Sequence, residues 1–162
     1  MAKQYLYLMN KFYFYLVIFC IASFNIIAEG YLKAKNGIEW DSKNQIYTAF
    51  GGVEFSNDNF LANAEKIEAQ YIIENNEEKF NVIELFNDVI IKFSEEIFKG
   101  DYAIYTKEDG IINIKGNVII QSPTRLLFGD ELILDLNTNK RTLNSINKDS
   151  HVEVLLNNES SN

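Results

Sequence analysis

The chain has 162 residues, 47% of them hydrophobic, a single proline and a formal net charge of −8. That length makes one domain with a moderate core, and the acidic balance argues against nucleic acid or anionic membrane surfaces as partners. One cysteine (Cys20) and one histidine (His151) leave no internal disulfide and no ligand set for a metal or nucleophile site.

Residues 1–28 read as a targeting segment. Lys3 and Lys11 stand in a stretch without acids, and an apolar run from Phe12 to Ala28 follows, broken only by Ser23 and Asn25. The run is shorter than the ~20 residues of a comfortable membrane helix. This predicts a helical export signal cleaved after Ala28, with a retained anchor as the alternative. Phe19 before Cys20 is not the small residue that lipid modification needs. Removing the segment leaves 13 basic and 23 acidic side chains, a net charge of −10. An acidic exported chain without disulfides suits a bacterial periplasm.

Residues 29–156 predict one β domain. Ile, Val, Phe and Tyr are abundant, and no segment carries a helical stripe. "GIEWD", with Ile38, Trp40 and Asp41, reads as the second half of a repeat unit. Three whole units follow. Each has a polar turn, a strand, and then a valine: Val53, Val89 and Val118. Eleven residues after each valine comes a small residue, Ala64, Gly100 or Gly129, and directly after it an acid, Glu65, Asp101 or Asp130. "NTNKRTLNSINKDSHVEVLL" resembles an eroded fourth copy with Val152 as its valine. A self-similar period of this size indicates an array of stacked hairpins.

Alternation assigns the faces. Tyr47, Val53 and Phe55 lie opposite Thr48 and Glu54. Ile83, Leu85, Val89, Ile91 and Phe93 lie opposite Glu84, Asp88 and Lys92. Ile112, Ile114, Val118 and Ile120 lie opposite Asn113, Lys115 and Asn117. Period two with one apolar face predicts antiparallel sheet covered on one side. Eight or nine such strands must close over that face as a sandwich, jelly roll or open-ended barrel, with strand edges free to pair. "NAEKIEAQYIIENNEEK" is strand followed by turn in this register. Gly100, Gly116 and Gly129 are expected where strands bulge or bend. Residues 157–162 form a polar, disordered tail.

The remaining chemistry-bearing residues have plainer readings. Glu65, Asp101 and Asp130 could be general acids, but their recurrence at one repeat position favours a structural role. Trp40 could face a ligand or fill a core or end-cap position. His151 has no partner for metal or nucleophilic chemistry.

The stretches "GGVEF…ANAEKIEAQY", "NDVIIKF…FKGDYAIYT" and "GNVIIQSPTRLLFGDELILDL" together resemble the OstA-like (LptA) family of lipopolysaccharide-transport proteins, over about residues 37–156. The first unit departs from the family pattern, with Gly-Gly for Gly-Asn and Ala for Gly. The resemblance implies an all-β jelly roll whose apolar groove shields lipid A acyl chains in the periplasm. It implies no enzymatic activity, no cofactor and no metal. Its partners would be lipopolysaccharide, the inner-membrane Lpt complex, the outer-membrane translocon and further copies joined end to end. Groove candidates are Phe55, Ile67, Ile83, Leu85, Val89, Ile91, Phe93, Val118, Ile120, Leu132 and Leu134. Lys92, Lys99 and Arg125, with Lys115 nearby, are candidates for phosphates at the rim. An anchored LptC-like subunit of the same transporter, and a structural β-solenoid or adhesive protein, are the competing readings.

Overall fold

Each repeat valine lies directly across from the small residue eleven positions on: Val53 pairs with Ala64, Val89 with Gly100 and Val118 with Gly129. The computed structural model describes residues 30–146 and 149–156. The expected signal helix and the polar tail lie outside the described residues. Ten strands form one antiparallel sheet: β1 (Gly30–Ala34), β2 (Gly37–Asp41), β3 (Ile46–Asn57), β4 (Leu61–Glu74), β5 (Glu77–Phe93), β6 (Glu96–Thr106), β7 (Ile111–Ser122), β8 (Arg125–Asp135), β9 (Lys140–Asn144) and β10 (Glu153–Leu156). The described residues contain no helix.

The two residues before each repeat valine form a bulge. Gly51–Gly52, Asn87–Asp88 and Gly116–Asn117 all have positive φ, and the ladder register shifts by one residue across each pair. Glycine and asparagine take this left-handed backbone most readily. The three bulges line up and crease the sheet. Phe60 and Tyr105 show how sharply. Tyr105 pairs with Ile83 and Ile83 with Ala69, nine residues along the chain from Phe60, which directly precedes β4. A flat sheet would separate them by roughly 30 Å at about 3.3 Å per residue. Their ring centroids are 4.9 Å apart. The sheet is therefore folded over, and its apolar face meets itself.

The crease defines two layers. The first holds β1, β10 and the halves of β3–β8 that carry the repeat valines. The second holds β2, β9 and the other halves. At both edges the strand is interrupted at the crease: β1 and β2 pair with the two halves of β3, and β9 and β10 with the two halves of β8. The fourth unit is thus a strand interrupted between β9 and β10. Asp130 accepts from the Ile146 amide at 2.8 Å and from the Ser150 hydroxyl. The "GIEWD" half-unit is β2. Upstream β1, whose five residues begin at Gly30, adds a strand beyond the expected eight or nine.

Short turns close the hairpins by local chemistry. Asn75–Asn76 is a two-residue turn with both φ positive, the geometry that matches strand twist. Asp41, Asn57 and Asp135 each accept two backbone amides with one side-chain oxygen at 2.9–3.0 Å, two and three residues on. Asp41 and Asp135 are the aspartates that mirror each other in the repeat. The core between the layers contains Phe98, Ile112 and Ile114, each with no exposed surface. Burying a side chain of this kind contributes about 1.5–3 kcal/mol.

Candidate functional site

The inner face is continuous through all three units, and its side chains fill it. Phe55, Ile67, Ile83, Leu85, Val89, Ile91, Val118, Ile120, Leu132 and Leu134 are 0–2% exposed and pack on one another. Phe93 is partly buried at the margin, with Leu32, Tyr47, Phe80, Leu127, Leu136 and Leu143. These marginal residues are the looser part of the interior. Along the lip opposite the crease, aromatic contacts fasten the layers: Phe55 on Phe80 at 5.6 Å and Phe60 on Tyr105 at 4.9 Å. Two edge residues stand on the inner side with little over them. Ile38 pairs with Ala49 and Trp40 with Tyr47, yet Trp40 is 71% exposed. The opposite edge exposes Val154, Leu155 and Leu156.

Besides exposed Glu78, which shares the inner side with Phe80 and bonds to Tyr47, three charged residues break the apolar rule. By register Glu96 shares the inner side with Phe98, Arg125 with Leu127 and Gly129, and Arg141 pairs with inward Leu134. They meet at the lip. Arg141 Nε donates to Glu96 Oε2 at 2.5 Å, and Arg125 Nη2 to Glu96 Oε1 at 3.5 Å. Glu96 is the one buried charged side chain among the described residues, at 8% exposure. Arg141 also donates to the Asn139 carbonyl at 2.7 Å, and its guanidinium stands 6.0 Å from the Phe93 ring centroid. An open cleft of about 370 Å³ leads outward from the cluster, lined by Ser94, Glu95, Ser122, Pro123 and Thr124 besides the three charges.

Of the rim candidates, only Arg125 joins this cluster. Lys92 and Lys99 are exposed on the outer side of the first layer, since Lys92 pairs with Ile97 and Lys99 with Ile90. Lys115 is on the outer side of the second layer, 3.5 Å from Glu131. Glu96 and Arg141 were not among the rim candidates. The signal for them was parity: Glu96 is two residues before inward Phe98, and Arg141 two before inward Leu143. "EEIFKG" invited attention to its apolar residues, and the eroded fourth unit obscured the register of β9.

The recurrent acids lie opposite the bulges. Asp101 accepts from Asn117 Nδ2 at 2.7 Å and sits against Gly116, while Asp130 accepts from the Ile146 amide. His151 lines an open cleft with Asp130 and Asp149. No group of three or more His, Cys, Asp or Glu among the described residues could hold a metal ion. On the outer face, Tyr102 donates to Glu84 at 2.6 Å; burial first, and then this bond, push its pKa up to about 12. Tyr47, near the lip, donates to Glu78 at 2.6 Å, and that bond chiefly pushes its pKa up to about 12. The Asn113 amide, with Lys115, holds Glu131 below its ordinary value.

A creased antiparallel sheet, built from repeated hairpins and folded over its own apolar face, defines a β-jelly-roll domain of the lipopolysaccharide-transport kind. The chain belongs to the LptA/(LptD N-terminal domain) LPS transport protein family, whose model matches residues 31–140. Its fold matches the crystal structure of LptH from Pseudomonas aeruginosa, described as the LptA-homologous periplasmic component of the conserved lipopolysaccharide transport device. The TM-score is 0.66 at 9% identity, over 78% of this chain and 93% of that one. At that identity the likeness is one of fold. No curated protein matches the sequence. Family membership makes this a protein of lipopolysaccharide transport.

Proposed function

We propose that the protein is a non-enzymatic periplasmic carrier that shields the acyl chains of lipopolysaccharide between the inner and outer membranes. The observation that carries this reading is the single apolar face running through every repeat and reaching both sheet edges. Leaving an acyl chain in water costs about 0.8 kcal/mol per CH₂, so several long chains cost tens of kcal/mol. A continuous apolar interior removes that cost, and no catalytic group is required. Acyl chains enter at the marginal residues, where the packing is loosest, and separate layers that otherwise pack on each other.

Edge strands with unpaired backbone groups and uncovered apolar residues suit end-to-end pairing with further copies, with the inner-membrane Lpt complex and with the outer-membrane translocon. In this arrangement the groove candidates from Phe55 to Leu134 line the path of the lipid. A photoreactive side chain in place of Phe80 tests the idea directly. Labelled lipopolysaccharide is captured there and not from Lys115 on the outer face; equal capture from both positions defeats the reading. N-terminal sequencing of the exported chain finds Glu29 first for a free carrier, and Met1 first for the anchored subunit.

A further inference from the structure

We propose that Arg125 and Arg141 form the recognition site for a phosphate on the carried amphiphile, and that Glu96 occupies this site until the amphiphile arrives. The inference rests on the carrier reading and assigns its headgroup contact. A buried ion pair is weak as a stabilising device, because apolar residues of similar size do as well at such positions. Yet three inward positions at one point of a largely apolar face carry charge, and all three converge. Two guanidiniums share one carboxylate, which leaves a cation in excess within the cluster. A phosphate monoester carries between one and two negative charges at neutral pH and offers three acceptor oxygens, so it fits two planar forks better than one carboxylate does.

The placement suits an amphiphile. The guanidiniums stand at the lip, with Phe93 beside Arg141 and the apolar interior behind. A headgroup held there directs its chains inward. The cleft outside gives the displaced Glu96 carboxylate a polar path to water, past the hydroxyls of Ser122 and Thr124. Glu95, the other acid lining the cleft, is exposed, so water and salt screen its charge. Because Arg141 comes from the second layer and Glu96 from the first, the exchange also releases an ionic tie across the lip. Headgroup binding thereby loosens the closure that the acyl chains must pass.

The test uses the full exported chain with the photoreactive side chain at Phe80, and as probes bis-phosphorylated lipid A and its dephosphorylated counterpart. The unaltered site captures the phosphorylated probe at about tenfold lower concentration, the discrimination expected from one strong charge-assisted contact. Substituting Arg125→Gln and Arg141→Gln together abolishes that preference: the two probes are captured at equal concentration, whatever the lost tie does to capture of both. Glu96→Gln keeps the shape and removes the competing negative charge, so the preference for the phosphorylated over the dephosphorylated probe widens several-fold; a merely structural tie raises capture of both probes alike. This variant carries the test should the double variant fail to fold. Equal capture of the two probes by the unaltered site, a preference that survives the double substitution, or a preference that E96Q does not widen overturns the inference and leaves the carrier standing. Capture of neither probe from Phe80 above the Lys115 level overturns the carrier and this inference with it.

Discussion

At the scale of single residues, the repeat motif is a description of the crease. The valine faces inward, its partner must be small because the chain bends over it, and the residues before it must tolerate positive φ. Gly116 (φ +76°) has the Asp101 carboxylate over it, where an added Cβ would come within 2.4 Å of Oδ2. Gly116→Val therefore lowers stability by about 1–3 kcal/mol in urea unfolding. Gly100 fails for a different reason: an added Cβ would meet the Ile114 side chain at 2.4 Å in the core. Gly100→Ala is an overpacking change of about 1–3 kcal/mol. Asn87→Gly, at φ +62° on an exposed bulge, shifts stability by no more than about 0.5 kcal/mol. These positions were legible in the sequence because backbone geometry admits so few residue types there. The Glu96 cluster was not, because a charged residue among strand residues is read as outward-facing unless its register is known.

At the scale of elements, hairpin order and facing followed from the alternation, and even the helix-friendly "NAEKIEAQ" lies in β4. What escaped was β1: five residues between the apolar N-terminal run and a turn give too short a pattern to recognise. The paired half-units extend to their turns. Asp135 is held below its ordinary 3.8 by the Thr138 hydroxyl and amide, and Asp41 by the Asn44 amide and side chain. Their folded pKa lies below the unfolded one, so the unfolded chain binds more protons as the solution becomes acid. Their stabilisation is complete above about pH 4 and disappears as the pH falls through the lowered values. Substituting Asp41→Asn and Asp135→Asn together keeps an acceptor oxygen that does not titrate. Urea midpoints measured from pH 7 to pH 2 therefore fall less steeply for that variant. The cross-strand tyrosines act at the other extreme. Tyr47 and Tyr102 have pKa values raised from 10.0 to about 12, so their contribution holds below pH 10 and is lost between 10 and 12. Tyr47→Phe with Tyr102→Phe flattens the alkaline limb of the same profile.

At the scale of the whole molecule, periodicity reveals that one face is apolar but not what meets it. A trough left open for lipid and a sheet folded onto itself have the same alternation. The structure has the second form: the crease brings the inner face together, and the aromatic lip closes it. Carriage then requires the layers to part, and the work of parting competes with lipid entry. Two truncations separate that competition from simple loss of stability. Phe60 is 4% exposed at the lip, whereas Ile114 is fully buried beside the crease. Phe60→Ala costs about 3–5 kcal/mol and Ile114→Ala about 2–5 kcal/mol, so both lower the unfolding midpoint. Only the first removes a contact that bridges the opening. At subsaturating lipopolysaccharide, capture from Phe80 rises in Phe60→Ala and is unchanged in Ile114→Ala. If capture rose equally in both, general loosening would explain entry and the lip would have no particular part in it. If it fell in Phe60→Ala, the aromatic contact would be part of the lipid's own binding surface, and the layers would not open there.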